Sequence, residues 1–174
     1  IRDLESNDST QITKEKDLQT AFADWTKDGD YIITAKGRRN LKLHMYHKDG
    51  GSGVKLIDKP SSIKITQPVV GNEDRYIWYA HRSGSWQYNA RFPQYQISKF
   101  DRETGEIKRE TSRFGSAFTP TLSPDGKWLV YGTRYEDKTA LRIRNLKTGD
   151  ERWLAYPIQK DDQESQATMG VLPG

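Results

Sequence analysis

Ser123-Pro124-Asp125-Gly126 separates two short runs rich in β-forming residues, Phe118 to Leu122 and Trp128 to Tyr131. Proline pre-sets φ for the first central position of a turn, aspartate bonds its own backbone, and glycine accepts positive φ, so the chain must reverse there and pair the two runs. After a polar break, Leu141 and Ile143 alternate with Arg142 and Arg144 across residues 140–146, the period of a half-buried strand. Lys147-Thr148-Gly149-Asp150 then turns the chain into Glu151-Arg152-Trp153-Leu154. The unit is four short strands joined by three turns.

The same unit lies upstream. Ala21 to Trp25, a turn at Thr26-Lys27-Asp28-Gly29, Tyr31 to Ala35, Leu41 to Tyr46, a turn over Asp49 to Gly53, and Val54 to Ile57 repeat it in order. A third copy runs from Ile65 to Val70, turns at Gly71-Asn72-Glu73-Asp74, continues through Tyr76-Ile77-Trp78-Tyr79, and closes with Tyr95 to Phe100, Glu103-Thr104-Gly105 and Glu106 to Thr111. Equivalent turn positions are Gly29, Asp74 and Gly126, giving spacings of 74−29 = 45 and 126−74 = 52, with the extra length in the segment Arg82 to Pro93. Ile1 to Asp8 overlays Ile143 to Asp150, with Asn7 in the place of Gly149; both residue types tolerate a left-handed backbone.

Four-stranded units of this period are the building blocks of a β-propeller, each sheet a blade stacked on the next. Blades are covered on both faces, which accounts for the nearly continuous apolar runs at 76–79 and 128–131. The expected fold is therefore all-β, a partial propeller of four-stranded antiparallel blades, about three full blades plus two broken edges; an up-and-down sandwich or barrel is the alternative. Residues 1–13 read as the end of a preceding blade, 14–59 as a blade, 60–112 as a blade with an inserted aromatic loop at 82–93, 113–156 as a blade, and 157–174 as the start of the next. Both ends read as cut from something longer, and open blade edges predict self-association. Asp28, Gly29, Gly105, Pro124, Asp125, Gly126 and Gly149 are the expected structural turn residues.

Composition narrows the function classes. Only 33% of the 174 residues are apolar, and no run approaches the ~20 that a spanning helix requires. Aromatics at 11% are too many for a disordered chain. The net charge of +4 comes from 28 basic residues dispersed among 24 acidic ones, so nucleic acid is not an expected partner. The absence of cysteine excludes disulfides, thiol catalysis and thiolate zinc sites.

The Ser-Pro-Asp-Gly-Lys turn before an aromatic-rich strand, and the Thr-Gly-Asp/Glu turn before each closing strand, resemble the WD-like repeats of TolB-type propellers. Gly50-Gly51-Ser52-Gly53-Val54, Trp86-Gln87-Tyr88-Asn89, Asp101 to Glu106 and Pro120 to Lys127, in that order and spacing, resemble the N-terminal propeller of bacterial exported metal-dependent amidohydrolases, in which a (β/α)₈ hydrolase domain follows. The likeness covers about Gln11 to Gly174. It implies a periplasmic or secreted location, a C-terminal amidohydrolase domain or another protein as partner, and a divalent metal, zinc, in that catalytic domain. Peptidase propellers and cell-envelope scaffolds of the TolB kind share the turn repeat and stay open as alternatives.

No catalytic or metal site is expected in the segment itself. An amidohydrolase site like the family's would need a His-x-His pair, two more histidines, a bridging lysine and an aspartate. Here there are three histidines in all, His44, His47 and His81, and the first two fall on opposite faces of one expected strand. Gly51-Ser52-Gly53 and Gly84-Ser85 lack the pattern and strand-to-helix setting of a nucleophile elbow. The carboxylate pairs Glu73-Asp74 and Asp161-Asp162 read as solvated turns. The expected binding residues are Trp86, Tyr88, Arg91, Phe92 and Tyr95, flat apolar faces beside cations; they suit a protein contact, a small ligand, or simple coverage of a neighbouring blade.

Overall fold

The computed structural model describes residues 1–16, 19–38, 40–60, 62–82, 94–136 and 138–160. Among these the chain forms twelve strands and no helix. The first sheet holds β1 (Gln19–Trp25), β2 (Tyr31–Gly37), β3 (Lys42–His47) and β4 (Val54–Lys55); the second β5 (Lys64–Val70), β6 (Tyr76–Arg82), β7 (Gln96–Asp101) and β8 (Ile107–Arg109); the third β9 (Phe118–Leu122), β10 (Trp128–Tyr135), β11 (Lys138–Asn145) and β12 (Glu151–Lys160). Each sheet is a four-stranded antiparallel meander in chain order, as the repeat predicts.

Strand ends differ from the pattern-based limits, and the reason is the backbone. Hydrophobic alternation sees apolar positions, whereas ladders continue through polar ones: Thr133↔Ala140, Arg134↔Thr139 and Tyr135↔Lys138 extend the β10–β11 hairpin. β12 in turn follows β11 to the pair Lys138↔Lys160, beyond the closing strand read over Glu151 to Leu154. The outer strands β4 and β8 are shorter than read.

Two cores hold the sheets face to face. Ile33 and Leu43 of the first sheet meet Ile65, Val70, Ile77, Tyr79 and Phe100 of the second. Trp78 and Ile97, on the other face of that second sheet, meet Leu129 and Tyr131 of the third. Thus Ile77 and Tyr79 point one way and Trp78 the other, which is why the run Tyr76 to Tyr79 is apolar throughout. Each such side chain taken out of water contributes roughly 1.5–3 kcal/mol. The remaining face of the first sheet is covered by the N-terminal stretch: Ile12 packs on Ile32 and Tyr46, and Glu15 bonds Lys36 and Tyr46. Before it, residues 1–10 close a hairpin through the Arg2↔Ser9 bridge, with Asn7 left-handed at φ 68°.

One repeated feature has no trace in residue type. Phe22, Gln67 and Thr119 adopt φ of 58°, 53° and 50°. Each stands seven residues before its blade's turn position, Gly29, Asp74 or Gly126, where the ladder to the next strand slips by a bulge. The first strand of every sheet is therefore kinked at one level.

Candidate functional site

The turns are built by the same hydrogen bonds in different residues. Asp3, Asp101 and Asn145 each use Oδ1 to accept the N–H groups two and three residues ahead, at 2.7–3.3 Å. Ser6, Thr104 and Thr148, three residues on, each accept a third N–H with the side-chain oxygen. The fifth residue is left-handed in all three: Asn7, Gly105 (φ 75°) and Gly149 (φ 80°). The other turn type also repeats, Thr26 donating to Asp28 at 2.6 Å and Ser123 to Asp125 at 2.5 Å, with Gly29 at φ 76° and Gly126 at φ 68°. Pro124 presents its carbonyl outward, where Asn72 Nδ2 donates to it at 2.5 Å.

Between sheets, side chains reach the backbone next door. Asp24 accepts Val70 N–H at 2.8 Å, Gln67 accepts Thr119 N–H at 2.8 Å, and Asp74 accepts Lys27 and Asp28 N–H at 2.6 and 3.2 Å. Asp74 thus corrects the reading of Glu73-Asp74 as a merely solvated pair: an aspartate stands where the other turns hold glycine, and its carboxylate clamps the preceding blade. That departure from the repeat was the available signal. Arg102 holds the Asp74 carbonyl at 2.6 Å, while Arg75 grips Asp101 at 2.8 Å; the guanidinium bond pulls the Asp101 pKa down to about 2.

A cavity of about 200 Å³ opens between the turns of the second and third sheets, walled by Asn72, Glu73, Tyr76, Trp78 and Asp125. Its lining combines rings with two carboxylates, and Lys99 Nζ and the Arg75 guanidinium already stack on Tyr76 at 4.3 and 5.0 Å. A smaller cavity of about 100 Å³ between the first and second sheets is lined by Lys42, Ile57, Tyr79, His81 and Ser98. There His81 Nε2 lies 2.9 Å from Ser98 Oγ, and burial pushes its pKa down to about 4. His44 and His47 sit on β3 opposite Thr34 and Tyr31, on opposite faces of the sheet. Among the described residues no three His, Cys, Asp or Glu side chains converge as a metal site; the divalent metal that the resemblance implies is expected in the catalytic domain, not in this segment.

Of the expected binding residues, Trp86, Tyr88, Arg91 and Phe92 lie outside the described residues. Tyr95 is half-buried and bolted to the third sheet's approach: its N–H donates to Ser116 Oγ at 2.7 Å, its carbonyl accepts Ala117 N–H at 2.7 Å, and Arg82 stacks on its ring at 5.9 Å. At the outer strands, Glu151 accepts from Arg142 at 2.8 Å, Arg113 at 2.5 Å and Tyr131 at 2.5 Å, a hub that residue spacing did not reveal because its members come from four segments.

No family model matches the chain. Over 86 residues, 48% of its length, it is 34% identical to the Tol-Pal system protein TolB of Francisella tularensis subsp. tularensis (strain WY96-3418), of which it spans 18%. The crystal structure of TolB from Acinetobacter baumannii superposes with a TM-score of 0.70 at 23% identity, covering 91% of this chain and 37% of that one. The chain has a TolB-like β-propeller fold. A solved oligogalacturonate lyase in complex with manganese shares the TolB-like arc at a TM-score of 0.67 and 18% identity, over 88% of this chain and 40% of that one. No helix among the described residues is long and apolar enough to cross a membrane.

Proposed function

We propose that this chain is a non-catalytic propeller platform for macromolecular contact, which docks or shapes access to a metal-dependent amidohydrolase domain of the same, exported protein. What carries the platform reading is the lateral clamping of Asp24, Gln67, Asp74 and Asn72 onto neighbouring backbones, which locks the three sheets into one rigid arc without using any of them as acid, base or ligand. The amidohydrolase partner is supported by the order and spacing of Gly50 to Val54, Trp86 to Asn89, Asp101 to Glu106 and Pro120 to Lys127. The divalent metal, zinc in this reading, belongs to that domain, and the periplasm is its compartment.

A second reading, a TolB-like cell-envelope scaffold that binds proteins, is favoured by the 34% match to TolB. Expressing the whole gene decides between them. A His-x-His on a downstream (β/α)₈ pattern, stoichiometric metal by elemental analysis and hydrolase activity abolished by chelation support the first; a complete product without that pattern removes it and leaves the scaffold.

A further inference from the structure

The first turn of each sheet carries a carboxylate just before its turn position: Asp28, Glu73 and Asp125 precede Gly29, Asp74 and Gly126. In two of the three sheets that carboxylate builds its own turn. Asp28 Oδ1 accepts the Thr26 hydroxyl and Asp30 N–H at 2.6 and 3.0 Å, and Asp125 Oδ1 accepts the Ser123 hydroxyl and Lys127 N–H at 2.5 and 3.1 Å. In the second sheet the residue matching Thr26 and Ser123 is Gly71, which has no hydroxyl to give, and the carboxylate belongs to a longer glutamate. Among the described residues the Glu73 carboxylate makes no hydrogen bond or ion pair, and it stands on the wall of the cavity of about 200 Å³ between the second and third sheets.

Glycine shapes this cavity too. A Cβ at Gly71 would lie 2.8 Å from Trp78 Cζ3 and 3.2 Å from the Tyr76 carbonyl, so no side chain stands between the indole and the turn. Asn72 commits Nδ2 to the Pro124 carbonyl at 2.5 Å, which leaves its Oδ1 an acceptor with no donor among the described residues. Trp78 and Leu122 supply apolar lining. The cations nearby are already held: Arg75 by Asp101 and Glu103 at 2.8 and 3.1 Å, Lys99 by Glu110 at 3.8 Å, Lys127 by Asp125 at 3.6 Å, and Arg102 by the Asp74 carbonyl at 2.6 Å. Lys99 and Arg75 also occupy the Tyr76 ring, which directs a further cation to Glu73 rather than to that ring.

We infer that this cavity is the socket for one arginine side chain of a partner protein. Its aliphatic stem packs on Trp78 and Leu122, and its guanidinium donates to the Glu73 carboxylate and to Asn72 Oδ1, with Asp125 adding negative charge from the facing turn. The occupant is cationic because the unused polar groups on the wall are acceptors, one of them a carboxylate without a cation. It is arginine because a rigid fork of N–H groups answers a carboxylate and an amide oxygen together, whereas an ammonium is a compact point charge. Size makes it a side chain, since pockets for free small molecules run ~300–1,000 Å³. The inference rests on the platform reading and names the anchor by which a partner is recognised.

The test titrates the intact, isotope-labelled chain with the blocked tripeptide acetyl-Gly-Arg-Gly-amide, its citrulline and lysine counterparts, and free arginine, and reads amide and indole chemical shifts. The expected result is saturable binding of the arginine peptide with a Kd of about 1–10 mM that weakens as salt rises. Shifts should centre on Asn72, Glu73, Gly126 and the Trp78 indole, and spare the acidic turns at Asp28 and Asp101. Citrulline, which keeps the shape and loses the charge, should not bind; the lysine peptide, and free arginine with its own carboxylate facing Glu73, should bind more weakly. Glu73→Gln should weaken the arginine peptide roughly tenfold and, having no partner to lose, leave the urea midpoint unchanged. Equal binding of the citrulline peptide, equal or tighter binding of the lysine peptide or free arginine, equal shifts at Asp28 and Asp101, or no saturation would each overturn it. Should Glu73→Gln unfold, the wild-type shift pattern and the citrulline comparison still decide. An empty socket would leave the platform reading standing, and failure of that reading would show in the whole-gene product instead.

Discussion

Gly126 shows how much of the fold hangs on single backbone conformations. At φ 68°, with a Cβ position 3.2 Å from Asn72 Nδ2, it has neither the dihedral nor the space for a branched side chain. Gly126→Val should cost about 1–3 kcal/mol in urea unfolding. Asp74 is the opposite case, a non-glycine residue held left-handed at φ 57° because its carboxylate answers two N–H groups of the preceding blade. Asp74→Ala should lower stability by about 1–3 kcal/mol, since it leaves both amides without their partner; Asp74→Gly, which relieves the backbone, should recover part of that loss in the same assay. Gly29, Gly105, Gly126 and Gly149 were legible because turn chemistry is local. The clamp made by Asp74 was not, because its partners are 46 and 47 residues away.

At the level of the strand, the bulges at Phe22, Gln67 and Thr119 place one strained residue in the first strand of each sheet. A left-handed L-residue costs roughly 1–2 kcal/mol, less for glycine. Phe22 is 42% exposed, so its side chain adds little burial to offset the strain. Phe22→Gly should therefore leave the thermal midpoint unchanged or raise it, whereas Phe22→Val should lower it; equal losses in both would mean the phenyl ring, not the backbone, matters there. Period and turn type identified the strands but could not show the bulges, whose three residues share neither size nor polarity. The same blindness shortened β10, where Thr133 and Arg134 continue the ladder by backbone bonding.

For the whole molecule, the buried and paired groups set an acid limit. His81 binds its proton at about 4 in the fold against 6.5 when free, so between those values the unfolded chain holds more protons, and stability falls as pH drops through that window. Asp101 and Glu15 are both depressed to about 2, chiefly by their bonds to Arg75 and Lys36, and the stability they contribute is present above about pH 4 and lost as pH falls toward 2. Urea midpoints recorded across pH should decline in two stages. His81→Gln should reduce the first, leaving the share of His44, whose pKa burial also pushes down, and should leave the second; a single-stage decline in the wild type would contradict the buried, neutral imidazole.

Strand order, blade period and turn identity were already settled in the sequence, because each rests on interactions within a few residues: a proline's φ, an aspartate bonding its own backbone, alternation along one strand. What required the folded molecule was everything that depends on which blades lie side by side: the clamps of Asp24, Gln67 and Asp74, the four-segment hub at Glu151, and the cavity between the turns of the second and third sheets. Those groups are far apart along the chain, and packing rather than local propensity brings them together.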